Sequence, residues 1–380
     1  MEHILYWLWL TTKYRIANSK ITRLFERFDS IEDIYLSKSF NNIYGISEKD
    51  RMLLMDKDLS KAKCALEKTA KLGGKIIVYD DENYPQLLKN IPDPPYVLYI
   101  IGKVPELDKV LTIGVVGTRL SSEYGNTVTE RICRNLAEAG VVTVGGLAMG
   151  IDAVGAWATI DAGGIAVGVI ASGLDKVYPH ENAELYKAVA KKGCIMTEYP
   201  PGTKPYGTNF PVRNRIIAGL SRGVLVAEAP EGSGSLITAR HAFENNRDVF
   251  AVPRNITDTG FLGTNILIQQ GAKLVNSAQD ILVEYPYAVK VTPLKADTKK
   301  PPKVITVEKR EENKDDSEKY SKLSEKEKLI VALLRKKDMQ IDEISRELSI
   351  PVGEVNTRLI MLECNGLIKR LPASKYQLNV

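Results

Sequence analysis

The strongest constraint on the fold is a set of continuous apolar runs that recur through the middle of the chain, each followed by a polar-faced helical segment. LTIGVVGTR (111–119) comes first, and VVTVGG (141–146), IAVGVIA (165–171), CIMTEY (194–199), GVLVAEA (223–229) and DVFAVP (248–253) repeat the pattern. A strand that is apolar at successive positions must be covered on both faces, and alternation with helices winds such strands into a parallel sheet. The expected class is α/β. The helix after the first run carries its own punctuation: Ser121 and Ser122 can cap it, Val128, Ile132, Leu136 and Ala139 share one face, and Gly140 stands where a left-handed residue closes it.

Around this core the chain changes character three times. Residues 1–74 read as a small helical domain rich in aromatics, with an apolar stripe of Ile21, Leu24, Phe25 and Phe28 and a last helix, Leu59 to Leu72, stopped by Gly73-Gly74. We read it as a packing accessory in preference to a nucleic-acid contact through Lys13, Arg15, Lys20, Arg23 and Arg27. The central domain is expected over 75–286 and opens with two extra strands that extend the main sheet. Pro92, Pro94 and Pro95 set the crossing between them, and the second ends at Gly102. Residues 287–322 are rich in Lys, Glu and Asp around Pro301-Pro302 and predict a flexible charged linker. Over 323–380, three short helices punctuated by Pro351 and Gly366 precede LIKRL and KYQLNV, a winged helix-turn-helix. Its third helix buries Val355, Leu359 and Leu362 and turns Glu354, Asn356, Thr357 and Arg358 outward, with Glu363 adding charge. One arginine beside two glutamates grips phosphate poorly, so a protein-contact or autoregulatory role is favoured over duplex binding.

Composition narrows the functional classes. With 380 residues, 44% hydrophobic and 26% charged, the chain can bury a large core divided into two or three domains. A net charge of +5 permits an anionic partner without requiring one, so the placement of the arginines matters more than their number. Cys64, Cys133, Cys194 and Cys364 lie far apart without pairing or metal spacing, which predicts reduced thiols and a cytoplasmic protein. ILYWLWL (4–10) is too short to span a bilayer and follows an acidic residue, so it reads as a core helix and no membrane partner is expected. A dinucleotide site would need G-x-G-x-x-G and an acidic residue after the second strand. The loop here is Gly114-Val-Val-Gly117-Thr-Arg119, and the second strand ends in Gly145-Gly146. There is no G-x-x-x-x-G-K-[ST], and His3, His180 and His241 stand in no metal or triad pattern. Neither cofactor nor metal is expected.

The strand ends instead carry residues suited to anions. Gly117, Thr118 and Arg119 follow the first strand, Gly145-Gly146 through Gly150 the second, and Gly232, Ser233, Gly234 and Ser235 precede a helix containing Thr238 and Arg240. Each turn presents backbone N–H groups at a helix start, and three on one sheet edge predict a phosphate-bearing ligand. Between them, in FPVRNRIIAGLSRG (210–223), Phe210 can stack on a base, Arg213 and Arg215 can line a groove, and Asn209 and Asn214 offer amides. The alternative makes Phe210 a core residue and the arginines salt-bridged.

TIGVVGTR, GGLAMGIDA, SGLDKVYP followed by Glu181-Asn182, TEYPPGT, NFPVRNRIIAGLSRGVLVAEA, GSGSLITARHAFENNRDVFAVP and GTNILIQQGAKLV together resemble the DprA/Smf family of DNA-processing proteins, collinearly from Tyr84-Pro85 through Asp280-Ile281. The resemblance implies an extended Rossmann-like fold, an N-terminal domain of the SAM or helix-hairpin type and a C-terminal winged helix. It further implies single-stranded DNA binding without catalytic turnover, a homodimer formed through the Rossmann-like domain, and help in loading a RecA-type recombinase during transformation or recombination. Gly117, Thr118 and Arg119 match the family's glycine-rich loop. Phe210, Pro211, Arg213, Asn214 and Arg215 match its FPxRNR segment, and Gly232 through Ser235 its SGS turn. The chain departs from the pattern at Met149, where arginine is usual, at Val212, where lysine is frequent, at Ala156 for histidine and at Arg254 for glycine. Two charges lost from a DNA groove weaken binding unless Lys204, Arg222 or Arg254 replace them. Two other classes compete: a nucleotide-cleaving enzyme like the LOG-type phosphoribohydrolases, whose Pro-Gly-Gly-x-Gly-Thr-x-x-Glu motif is absent from PEGSGSLITAR, and a transcription regulator acting through the winged helix.

Overall fold

The computed structural model describes residues 2–13, 17–288, 324–335, 339–348, 350–364, 367–371 and 375–378. Two compact units divide the chain, Met1–Asp297 and Thr298–Val380. Among the described residues the first unit holds a nine-stranded sheet: β1 (Lys75–Val78), β2 (Val97–Gly102), β3 (Thr112–Val116), β4 (Val142–Gly145), β5 (Ala166–Val169), β6 (Cys194–Thr197), β7 (Gly223–Val226), β8 (Asp248–Ala251) and β9 (Lys273–Leu274), in the order β1-β2-β6-β5-β4-β3-β7-β8-β9. From β6 to β9 every pair is parallel. The extra strands do extend the sheet, but antiparallel, β2 on β6 and β1 on β2.

Period-two packing explains the apolar runs. Val224 and Val226 of β7 and Val249 and Ala251 of β8 enter one core, whereas Leu225 and Phe250 enter the core on the opposite face. The first core is covered by α6 (Gln86–Lys89), α10 (Asn209–Gly219), α11 (Gly234–Glu244) and α12 (Gly263–Gln269). Against the other face lie α7 (Glu123–Glu138), α8 (Ile151–Asp161), α9 (Ala183–Lys192) and α13 (Ala278–Leu282). Ser122 caps α7 by accepting from the Gly125 amide at 3.0 Å, and Gly140 takes φ +81° just past its end.

The N-terminal helices are α1 (Glu2–Thr11), α2 (Asn18–Phe25), α3 (Ile31–Leu36), α4 (Glu48–Met55) and α5 (Ser60–Lys71). They share a core with the sheet: Trp7, Trp9, Ile21 and Leu24 are buried in one cluster with Val97, Tyr99 and Ile195. Several of their cations are spent internally, Lys13 on Asp56, Lys20 on Asp50 and Arg23 on Glu26; Arg15 lies outside the described residues.

In the second unit, α14 (Glu325–Leu334), α15 (Ile341–Leu348) and α16 (Val352–Cys364) precede the hairpin of β11 (Ile368–Leu371) and β12 (Lys375–Leu378). A short strand that the sequence reading omits, β10 (Met339–Gln340), pairs with β12 and makes the wing sheet three-stranded. Val355, Leu359 and Leu362 are buried as expected, and Arg358 is held by Glu354 at 2.8 Å. Gly366 and, apart from Tyr287 and Ala288, the segment 287–322 lie outside the described residues.

Candidate functional site

Strand order reverses at β3, because the chain proceeds to β4, β5 and β6 on one side and to β7, β8 and β9 on the other. In an open parallel sheet such a point opens a crevice beyond the carboxyl ends of the strands, here between the loops after β3 and β7. All three glycine-rich turns reach this edge, but two of them are occupied by the protein's own carboxylates. Asp152, in the first turn of α8, accepts from the Gly146 amide at 2.9 Å and is further stabilised as an anion by the amides of Ala148 and Gly117. Burial pushes its carboxyl above the ordinary range, against the charge of Arg213 and the three amides. Glu228, just beyond β7, caps the start of α7 through the Ser122 amide at 2.7 Å and hydroxyl at 2.5 Å, and its carbonyl takes the Thr118 amide at 2.8 Å.

The expectation that the amides of Gly117, Thr118 and Gly146 face a phosphate is therefore corrected. Those donors are satisfied inside the fold, where an anion would otherwise sit. The glycines answer to packing as well. A Cβ on Gly146 would collide with the Arg213 guanidinium, and one on Gly150, at φ +72°, with the carbonyls of Thr118 and Arg119.

Arg213 and Arg215 are also corrected, since neither lines a groove. Residues two apart on a helix point to different sides, and α10 is buried from Arg213 to Gly219. Arg213 donates to the carbonyls of Gly146, at 2.9 Å, and Val169, and burial lowers its pKa against the opposing field of Asp152. Arg215 bridges Asp93 at 2.8 Å and Glu198 at 2.7 Å. Asn214 is buried too and donates to the Gly234 carbonyl at 3.1 Å, bracing the third turn. Of the substitute cations, Arg254 is bound to Glu228 at 2.7 Å and to Asp258, between the rings of Tyr124 and Phe261. Arg222 is exposed but precedes β7, and so lies at the opposite, amino edge of the sheet.

What remains open to solvent at the carboxyl edge is compact. Arg119 is exposed, with its guanidinium carbon 5.1 Å from the centre of the half-buried Phe210 ring. Tyr178 meets the same ring at 5.6 Å. Exposed Lys204 and Tyr206 stand on the loop leading into α10, and Met149 and Val212 are each nearly half exposed. The turn Gly232 to Ser235 opens α11, where Ser233 accepts from the Ser235 amide at 3.3 Å, and among the described residues no carboxylate bonds to it. Arg240 is exposed further along that helix. A cation over an aromatic ring, on the same sheet edge as a helix start that no carboxylate among the described residues occupies, can hold a phosphate and offer a ring to a base.

Sequence reasoning missed Asp152, Glu228 and Tyr178. An acidic residue at a helix start and a glutamate inside the apolar run GVLVAEA were the available signals for the first two, because a buried charge must find a partner.

Residues 75–286 match the family model for DNA recombination-mediator protein A, and residues 314–374 match the DprA winged helix domain. Protein Smf of Synechocystis sp. is 31% identical over 98% of both chains. The X-ray structure of DNA processing protein A from Streptococcus pneumoniae aligns with a TM-score of 0.64 and 35% identity, covering 74% of this chain and 97% of that one. The Helicobacter pylori DNA processing protein A, whose structure is described for its single-stranded DNA binding mode, aligns with a TM-score of 0.51 and 29% identity over 56% of this chain and 94% of its own.

Proposed function

The chain belongs to the DNA recombination-mediator protein A (DprA/Smf) family, and we propose that its central domain binds single-stranded DNA, with little sequence preference, at the carboxyl edge of the sheet. The observation that carries this reading is exposed Arg119 over the half-buried Phe210 ring, which Tyr178 meets at a tilt, on the same sheet edge as the turn Gly232 to Ser235. Every base has a face to stack, and a guanidinium takes any phosphate, so the pair serves a strand irrespective of sequence. Lys204 adds backbone attraction on the loop before α10. The strand so held is protected and presented to a RecA-type recombinase in the cytoplasm, with the protein acting as a homodimer.

The reading includes no catalytic turnover. A nucleotide-cleaving site needs an oriented carboxylate facing substrate; Asp152 and Glu228 are buried and engaged within the fold, and Glu231, exposed before the turn, has no hydrogen-bond or ion-pair partner among the described residues to orient it.

Fluorescence anisotropy with labelled oligo-dT and a matched duplex over a salt series tests the proposal. Preference for the single strand supports it. Equal affinity for both, or release of free base from a nucleoside monophosphate, refutes it.

A further inference from the structure

The N-terminal helices carry a second basic feature. A cavity of about 440 Å³ lies between the end of α1, one face of α5 and the loop after β6. Lys13, Lys61, Lys68 and the exposed Cys64 line it on one side, Pro200 and Pro201 on the other. Lys61, Cys64 and Lys68 recur at helical spacing, so α5 presents both ammonium groups toward the same opening. Lys13 is neutralised by Asp56 at 2.9 Å, whereas Lys61 and Lys68 are exposed and, among the described residues, have no ion-pair partner.

The proline wall belongs to the loop that ends at Phe210, and that loop is fixed along its length. The Gly202 amide donates to Asp175 at 2.6 Å, the Gly173 amide to the Thr203 carbonyl at 2.9 Å, and the Asn209 side chain to the Ala171 carbonyl at 3.1 Å. Lys204 lies on this loop, between the prolines and Phe210 in sequence. A chain of that length spans at most about 30 Å even when fully extended, within reach of one bound strand.

We propose that this cavity is a second contact for the same single strand, taking the phosphodiester backbone after it leaves the Arg119–Phe210 stack. The inference rests on the carboxyl-edge reading above. Lysines act as point charges without a base-reading geometry. None of the lining residues is aromatic, and Trp9, beneath Lys13 at 5.5 Å, is buried, so this contact clamps backbone and leaves stacking to the other end.

Binding of oligo-dT of about 6 and about 25 nucleotides to the full chain, the Lys61→Glu/Lys68→Glu variant and Arg119→Ala tests it, with thermal unfolding of each as a fold control. The lysine variant should keep its short-strand affinity within about twofold and lose about tenfold for the long strand. Its salt slope should fall by about 1.4, two phosphates at about 0.7 each. A Lys61→Gln/Lys68→Gln pair that keeps the native melting temperature should show the same length dependence at smaller amplitude. Unchanged long-strand affinity, or equal loss at both lengths, overturns the inference while Arg119→Ala still weakens both. If Arg119→Ala leaves both lengths unchanged, the carboxyl-edge reading fails and takes this continuation with it.

Discussion

Replacing Asp152 with alanine should turn an occupied anion site into an empty one. The carboxylate takes the Gly146 amide at 2.9 Å, is further stabilised by the amides of Ala148 and Gly117, and lies in the field of the buried Arg213. Removing it strands buried donors and leaves the guanidinium without its nearby counter-charge. Hydrogen bonds to a charged group contribute about 1.5–3 kcal/mol each, and breaking a buried charge cluster by deleting one member costs about 3–5 kcal/mol. At roughly 2–4 °C per kcal/mol for a domain of this size, the melting temperature should fall by about 6–20 °C. Alanine leaves space for a carboxylate, so formate should refill it. At about 100 times its dissociation constant, formate would restore about 2.7 kcal/mol, and chloride at matched ionic strength would not. Calorimetry of the variant with and without formate reads both effects. A loss below about 1 kcal/mol, or equal recovery in chloride, would refute the reading of Asp152 as a built-in anion.

Two further outcomes separate roles within the fold. Arg215→Met should cost about 3–5 kcal/mol, because Glu198 and Asp93 lose their shared partner; Arg119→Ala, at an exposed position, should leave the melting temperature within about 2 °C. Urea titration of both variants checks the contrast. His3 touches Glu32 at 2.5 Å and Asp80 at 2.9 Å. Burial lowers its pKa, but the two carboxylates outweigh burial and raise it above the ordinary 6.5. A group whose pKa is raised on folding stabilises fully below its unfolded value, so this contribution should be present below pH 6.5 and disappear as pH rises through the folded value. NMR titration of the imidazole, with His3→Gln as the control for the stability profile, measures it.

Much of the fold was legible because a strand buried on both faces leaves an unmistakable apolar run, as β7 and β8 do. The antiparallel direction of β1 and β2 was not, since nothing in KIIV or VLYIIG distinguishes strand polarity. The site was harder to read for a chemical reason. Glycine at Gly146 or Gly150 carries the same signal whether the close neighbour is a phosphate or the protein's own guanidinium and carbonyls. Helical phase shows that Arg213 and Arg215 cannot share a groove, but only the burial of α10 on nearly every side shows that both turn inward. Arg119 and Phe210 were both expected at the site, whereas their contact depends on how the loop after β3 meets the start of α10, a tertiary relation absent from local pattern.

A salt-series binding measurement on Arg119→Ala and Phe210→Ala with labelled oligo-dT tests single-strand binding at the Arg119–Phe210 contact most directly. The account predicts that Arg119→Ala lowers the salt slope by about 0.7, the loss of one phosphate contact. Phe210→Ala should instead cost about 1–3 kcal/mol with the slope unchanged, the signature of a lost stack. Affinity and slope equal to those of the parent chain in both variants would contradict it.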